Sequence, residues 1–213
     1  MKKFISNIYH KFFKYRFEPN YEFIDYRLIC DVENIESEKY RLNLFNDIDL
    51  KDLKSVLDYG CGYGVNLKIL KDINKDLELN AMEVSENKIK MLNIINENIY
   101  KMSIRFIEMN KLNNLTNRFD FVFTDAVLIY VNPNNIKKLL KQLIDSSKKK
   151  ILFHELSYDF DKSEINHLYI HDYKKIINQI NPKLKIKVLK SKKPGSPWSK
   201  HGTLYIIDKL NVN

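Results

Sequence analysis

The sequence from Ser55 to Leu70 reads Ser-Val-Leu-Asp-Tyr-Gly-Cys-Gly-Tyr-Gly-Val-Asn-Leu-Lys-Ile-Leu. Three of the five glycines in the chain lie within it, at Gly60, Gly62 and Gly64. The apolar run before the glycines predicts the end of a buried strand, and apolar residues at helical spacing follow them. Glycine adopts backbone angles that other residues avoid, and it lets a ligand approach the main chain. A strand, a glycine turn and a helix form the arrangement that binds nucleotide-like cofactors at a helix N-terminus.

The residues around the glycines indicate the charge of the cofactor. A dinucleotide fingerprint has the spacing Gly-x-Gly-x-x-Gly, whereas the third glycine here comes one residue early and Val65 takes the expected place. Asp58 lies two residues before the first glycine, where a carboxylate would repel a pyrophosphate. No Gly-Lys-Ser/Thr follows, as a phosphate-binding loop would require. S-adenosylmethionine, which carries an ammonium and a sulfonium but no phosphate, suits this carboxylate.

The run Asp58-Tyr59-Gly60-Cys61-Gly62-Tyr63-Gly64 resembles the first motif of class I S-adenosylmethionine-dependent methyltransferases. The resemblance covers about residues 50 to 160. It implies an α/β fold in which a Rossmann-like, seven-stranded sheet carries helices on both faces and has an antiparallel last strand. It also implies that S-adenosyl-L-methionine is the cofactor.

The same resemblance implies a set of cofactor contacts. Glu83 ends the next predicted strand about 20 residues after the loop, the interval expected for an acid that holds ribose hydroxyls. Asn110 takes the place of an aspartate that contacts the adenine amino group in this family, and its amide oxygen can accept the same hydrogen bond. The predicted cofactor-binding residues are Asp58, Tyr59, Gly60, Cys61, Gly62, Gly64, Glu83, Val84 and Asn110.

Alternating strand and helix patterns occupy the chain from the glycine motif to its last apolar run. Strands are predicted at 55–58, 77–83, 103–110, 118–125, 149–156, 184–188 and 202–207. Helices are predicted at 65–71, 86–100, 134–145 and 169–180. Residues 49–213 are expected to form the methyltransferase domain, and residues 1–48 a helical lid or cap that completes a single compact unit.

The N-terminal segment has two interpretations. Apolar residues recur at helical spacing from Phe4 to Phe13 with lysines between them, which predicts an amphipathic basic helix. Such a helix either packs on the domain as part of a lid or lies on an anionic membrane surface. No apolar run approaches the length of a membrane span, and the two cysteines do not suggest a disulfide framework. The cytoplasm is therefore the expected compartment.

Candidates for the chemistry lie at the ends of the fourth and fifth predicted strands. Methyl transfer is an in-line displacement in which positioning provides much of the rate, and a hydroxyl acceptor benefits from a general base. Asp125 and His154 are the predicted catalytic residues, because sites in such sheets lie at the carboxyl ends of strands. The alternative for a lone histidine is a structural hydrogen bond. The histidines lack metal-ligand spacing, so no metal is expected. The predicted acceptor-binding residues are Tyr130, His171, Trp198 and His201.

A narrower resemblance concerns the acceptor. The run Val-Phe-Thr-Asp-Ala-Val-Leu-Ile-Tyr-Val-Asn-Pro at 122–133, with Asn66-Leu67, is similar to methylases associated with pseudaminic-acid and related surface-sugar biosynthesis. It implies a small-molecule acceptor such as a sugar or a cell-surface precursor. The Asn/Asp-Pro-Pro-Tyr/Phe motif of amino-methylating enzymes is absent after strand four, which favours O-methylation.

Two alternatives to a small-molecule methyltransferase remain. The net charge of +9 is consistent with an RNA or tRNA methyltransferase. Arginine, which nucleic-acid readers use for bidentate contacts, is scarce beside lysine, so nucleic acid is the less favoured acceptor. A non-enzymatic binding module that kept the fold is the other alternative, and the intact Asp58, glycines and Glu83 argue against it.

Overall fold

The computed structural model describes residues 41–159, 168–193 and 198–209. Within these ranges the strands are β1 (Ser55–Tyr59), β2 (Glu78–Met82), β3 (Ile104–Phe106), β4 (Phe119–Asp125), β5 (Ser147–Leu156), β6 (Ile186–Lys190) and β7 (Gly202–Asp208). They form one sheet in the order β3-β2-β1-β4-β5-β7-β6. Residues 1–40 lie outside the described ranges, so the N-terminal amphipathic helix and the lid over residues 1–48 stay predictions.

The strand directions confirm the predicted α/β class. Strand β1 pairs in parallel with β2 and β4, and β4 pairs in parallel with β5. Strand β7 is antiparallel to both of its neighbours, β5 and β6. The seven strands and the antiparallel last strand are as predicted. The parallel strands place their carboxyl ends along one edge, where Asp125 lies opposite His154.

Helices cover both faces of the sheet, as predicted. They are α1 (Val65–Ile73), α2 (Glu86–Ile95), α3 (Pro133–Ser146), α4 (Tyr173–Ile180) and the short α5 (Trp198–His201). Leucines of α1 and α2 pack with Val56 in one apolar cluster, and residues of α3 and α4 pack with Leu57 in another. Successive residues of a strand point to opposite faces, so β1 contributes to both clusters. All five residues of β1 are buried, as expected for a strand that is covered on both faces.

Two predicted elements end earlier than expected. The third strand stops at Phe106, because residues Met109–Asn114 coil into a 3₁₀ helix. Helix α2 ends at Ile95 and the chain continues in a π-helical turn, Asn96–Tyr100. The Asn96 side chain donates to the Met102 carbonyl at 2.6 Å and accepts from the Met102 amide at 2.8 Å, which stops the helix.

The fourth helix begins later than predicted. It starts at Tyr173 instead of residue 169, since the Asp172 side chain accepts from the Lys175 amide at 2.9 Å and caps it. The Tyr169 amide donates to the Ile129 carbonyl, which ties the preceding segment to the turn after β4. In the part of the chain that the structure describes, every helix is too short or too polar to cross a lipid bilayer.

Candidate active site

A cavity of about 330 Å³ opens at the carboxyl edge of the sheet. The turn between β1 and α1, the end of β2 and the turn after β4 form most of its wall. The lining residues are Arg41, Tyr59, Gly60, Cys61, Gly62, Tyr63, Val65, Asn66, Glu83, Val84, Lys88, Met109, Asp125, Ala126, Val127, Tyr130, Val131 and Lys193. The structure thus brings eight predicted site residues to one cavity, namely Tyr59, Gly60, Cys61, Gly62, Glu83, Val84, Asp125 and Tyr130.

The three glycines of the β1–α1 turn have different surroundings. Gly62 has φ +54°, and a Cβ built on it would meet no atom within 4 Å, because it would project into open space. A bare main chain at this point of the wall leaves room for a ligand. A Cβ on Gly60 would instead lie 2.5 Å from Val127 Cγ2, so Gly60 permits close packing between this turn and the turn after β4. Gly64 begins α1, packs near Leu92 and does not line the cavity.

The Glu83 carboxylate links the glycine turn to the end of β2 through hydrogen bonds. Its Oε2 accepts from the Gly62 amide at 3.0 Å, and its Oε1 accepts from the amides of Val84 at 2.8 Å and Ser85 at 3.0 Å. The Lys88 ammonium lies 4.0 Å from Oε2. The carboxylate that sequence spacing assigns to a ribose therefore also organises the backbone of the loop.

Asp58 lies behind the cavity wall rather than in it. Its residue is 1 % exposed, and no described residue donates a hydrogen bond to its Oδ2. Burial raises the pKa of its carboxyl well above the usual range, and the charges of Asp125 and Glu83 raise it further against the opposing charge of Arg41. A buried carboxylate without a donor suits a cationic group. The residues present therefore fit the ammonium and sulfonium of S-adenosylmethionine.

Asp125 is the centre of a polar network at the other end of the cavity. Its Oδ1 lies 2.7 Å from His154 Nδ1, and its Oδ2 accepts from Asn66 Nδ2 at 3.1 Å. Arg41 Nη1 lies 3.5 Å from Oδ2, and Lys193 Nζ lies 3.9 Å from Oδ1. Burial alone would raise the pKa of Asp125, but the hydrogen bond and charge of His154, with Lys193 and Arg41, hold it well below the usual range. Asp125 is therefore ionised and weakly basic.

His154 contacts Asp125 without reaching the cavity. Its side chain has no exposed surface, and its Nε2 lies 2.8 Å from Ser191 Oγ. Because an ionised carboxylate only accepts hydrogen bonds, the imidazole presents Nδ1–H to Asp125. The Trp198 ring packs on the imidazole with 4.9 Å between centroids. The structure places His154 as a support for Asp125, and a catalytic role for His154 stays a prediction.

Several other predicted site residues also lie outside the cavity wall. His171 Nε2 lies 2.9 Å from the Val131 carbonyl and is buried behind that residue. Trp198 packs between His154 and the Lys193 ammonium, which lies 4.4 Å from the ring centroid. His201 Nδ1 lies 3.8 Å from Asp159 Oδ1. Asn110 is exposed on the 3₁₀ helix, and its neighbour Met109 lines the cavity instead.

Four residues that shape this site are not among those predicted from the sequence. Arg41 and Asn66 reach Asp125 from the helical stretch 41–45 and from α1, and Arg41 Nη1 donates to Asn66 Oδ1 at 3.0 Å. Lys193 approaches from the segment after β6. The fourth, Glu155, is fully buried and accepts from Thr124 Oγ1 at 2.9 Å. Its only sequence signal is that it follows His154 after an apolar run.

The burial of Glu155 should make the free energy of unfolding depend on pH. Burial raises the pKa of Glu155 to about 7, against hydrogen bonds from Leu128, Thr124 and Val127 that lower it. Because the folded pKa exceeds the unfolded value, its stabilising contribution is complete below about pH 4.5 and is lost as the pH rises through 7. Relative to Glu155→Gln, we expect wild type to lose on the order of 3 kcal/mol of unfolding free energy between pH 4.5 and 8. Urea unfolding of both proteins across this range checks it, and parallel pH profiles would contradict it.

Comparison with known proteins agrees with this geometry. Residues 56–150 match a family model described as a methyltransferase domain. This segment is similar to methyltransferase domains. It contains the glycine turn, Glu83, Asp125 and the turn after β4. The match supports an enzyme that transfers methyl groups, with S-adenosyl-L-methionine as the donor that the Asp58 site fits. No curated protein matches the sequence.

Several solved structures share the fold of this chain. A SAM-dependent methyltransferase from Aquifex aeolicus is 14 % identical, with a TM-score of 0.64 over 87 % of this chain and 98 % of the other. Magnesium protoporphyrin IX methyltransferase from Synechocystis PCC 6803, solved with bound SAM, is 14 % identical, with a TM-score of 0.61 over 98 % and 97 % of the two chains. An O-methyltransferase family protein from Burkholderia thailandensis is 14 % identical, with a TM-score of 0.63 over 86 % and 59 %.

Proposed function

We propose that this enzyme methylates a hydroxyl of a small molecule, with a sugar or cell-surface precursor as the favoured acceptor. The observation that carries the proposal is the cavity of about 330 Å³, which lies at the lower end of the range for small-molecule sites. Methyltransferases of similar fold include one named for magnesium protoporphyrin IX and one of an O-methyltransferase family. The run at 122–133, which resembles surface-sugar methylases, forms the turn after β4 and lines the cavity opposite the glycine turn.

The cofactor end of the cavity is defined by Gly62, Glu83 and Asp58. The bare Gly62 main chain admits the cofactor, Glu83 holds this loop and faces the cavity, and the buried Asp58 carboxyl lies behind it, where a bound cation favours its charged form. When bound, S-adenosylmethionine supplies a methyl group on a positively charged sulfur. The protein contributes position and electrostatic complementarity, which provide much of the rate in such a displacement.

At the acceptor end, Asp125 orients a hydroxyl, which attacks the methyl carbon as the bond from that carbon to sulfur breaks. The methylated oxygen is then strongly acidic and releases its proton to water. A carboxylate in the cavity wall can accept a hydrogen bond from a hydroxyl. Its low pKa makes Asp125 a poor base, so we assign it the alignment of the acceptor oxygen. Tyr130 and Val131 provide the adjoining wall.

Transfer of labelled methyl groups tests the proposed function. Purified protein is incubated with methyl-labelled S-adenosylmethionine and a cell extract divided into small-molecule, protein and RNA fractions. We expect the label in the small-molecule fraction, because the cavity has the size of such a site. Heat-treated enzyme is the control. Label found only in protein or RNA, or no transfer by an enzyme that binds the cofactor, would contradict the proposal.

The net charge of +9 favours RNA as the second candidate acceptor. An RNA methyltransferase that neutralises several phosphates should lose affinity steeply as the salt concentration rises. Filter binding of total RNA at about 50 and about 200 mM salt separates the two candidates. Strong retention at low salt with a steep loss would support RNA, and no retention at low salt would exclude it.

A further inference from the structure

The turn after β4 has a strained conformation. Ala126 has φ +59°, in the left-handed region that residues other than glycine seldom adopt. Its amide donates to the His154 carbonyl at 2.9 Å. Val127, the next residue, packs against Gly60 so closely that a methyl group there would overlap it. A strained backbone of this kind persists only when surrounding groups hold it.

One carboxylate holds this turn. Glu155 Oε1 accepts from Thr124 Oγ1 at 2.9 Å and from the amides of Val127 at 3.2 Å and Leu128 at 3.0 Å. Its Oε2 accepts from the Ile129 amide at 3.3 Å. These three amides precede or begin the 3₁₀ helix Leu128–Tyr130, which has no side-chain cap from its own flanking residue. Buried amides need acceptors, and Glu155 provides one for each of the three.

The placement of Glu155 on β5 complements that of His154. The two residues are consecutive, so their side chains leave the strand on opposite faces of the sheet. His154 contacts Asp125 on one side, whereas Glu155 binds the turn that continues from Asp125 on the other. The end of β5 therefore holds both the last residue of β4 and the turn that follows it.

We propose that Glu155 is a positioning residue for methyl transfer, which holds the turn after β4 against the glycine turn and so aligns acceptor with cofactor. Its four hydrogen bonds keep Val127 on Gly60, and the same turn carries Tyr130 into the cavity wall. The part of this proposal that concerns the acceptor rests on the proposed function. The part that concerns the turn rests on the hydrogen bonds alone.

Two substitutions of different severity test the proposal. Glu155→Gln keeps one carbonyl acceptor but replaces the second oxygen with an amide donor, whereas Glu155→Ala removes both acceptors. Hydrogen exchange is measured at the amides of Val127, Leu128 and Ile129, and we expect it to accelerate about 10-fold or more in Glu155→Ala. Methyl transfer to the small-molecule fraction should fall about 10- to 100-fold, while the Kd for S-adenosylhomocysteine changes less than about 5-fold. Glu155→Gln should be intermediate in all three.

Two controls separate positioning from general damage. Glu97→Gln removes an exposed glutamate charge on the π-helical turn and should change neither exchange nor transfer. Thr124→Val removes one of the four donors and should leave exchange at the three amides close to wild type. If Glu155→Ala does not fold, Glu155→Gln decides the outcome. Wild-type exchange and transfer in a folded Glu155→Gln would overturn the proposal.

The outcomes also distinguish this proposal from the proposed function. If the wild-type enzyme transfers no label to small molecules, the proposed function fails, and the exchange rates still decide whether Glu155 holds the turn. If exchange accelerates while transfer is unchanged, the turn is held by Glu155 but does not align the acceptor, and the positioning role is overturned.

Discussion

Replacing Asp58 with asparagine is expected to weaken S-adenosylmethionine binding by about 10-fold or more, because the variant cannot offer a carboxylate charge to the cationic cofactor. The same change should stabilise the protein without its cofactor. Asp58 is buried, and its Oδ2 has no donor among the described residues, so its charge is costly until a cation binds. Asparagine has nearly the same shape and costs less to bury.

The effect of Asp58→Asn on the free energy of unfolding should depend on pH. Burial and the neighbouring acids raise the pKa of Asp58, so its stabilising contribution is present below its unfolded pKa of about 4 and is lost at higher pH. The gain in Asp58→Asn should therefore appear at pH 8 and vanish near pH 4. Calorimetric titration and urea unfolding provide the two measurements. Asp76→Asn, an exposed acid after α1, is the matched control. Wild-type affinity in Asp58→Asn, or lower stability at pH 8, would contradict the prediction.

Replacing Asp125 with alanine should have the largest effect on stability. The change leaves Arg41, His154 and Asn66 facing a hole, and removing one partner of a buried ionic network costs about 3–5 kcal/mol. In a protein of this size we expect the melting temperature to fall by roughly 10 °C. Thermal unfolding by circular dichroism measures it.

Companion variants identify the cause of that loss. Asp125→Asn keeps an acceptor for His154 but removes the charge, so it should lie between wild type and Asp125→Ala. His154→Leu combined with Asp125→Ala should cost less than the two single losses added together, because it removes a buried imidazole that has lost its partner. A shift below about 2 °C in Asp125→Ala, or strictly additive losses, would contradict a shared network.

The predicted site residues that lie in the cavity wall are those that local sequence indicates. The glycine turn follows directly from β1, and Glu83 lies at a distance that one strand–helix–strand unit fixes. The alternation of strands and helices likewise confines the carboxyl ends to one edge, which placed Asp125 and Tyr130 in the cavity wall. The order and direction of the strands follow from the same alternation and from the family resemblance.

The rest depends on contacts between distant parts of the chain. Arg41 and Asp125 reach Asn66 across sequence separations of 25 and 59 residues, and no periodicity links them. His171 follows the fifth strand and Trp198 lies between the last two strands, which predicts acceptor contacts, but packing places both side chains behind the wall. Asn110 was placed from a strand that ends at Phe106, so its side chain is exposed on a 3₁₀ helix. The sequence does not indicate a role for Glu155, because the partners of this buried acid lie 26 to 31 residues away in the chain.

The antiparallel insertion of β7 determines when the sheet can be completed during synthesis. Among the described strands β6 pairs with β7 alone, and β7 also covers the edge of β5. Neither β5 nor β6 can therefore join β7 until residues 202–208 have left the ribosome. The strands that carry the glycine turn and Asp125 are all made earlier. Until then β5 has an open edge, a common template for pairing between chains. The segment that forms β6 carries three lysines, Lys185, Lys187 and Lys190. Their charges would disfavour such pairing in a nascent chain.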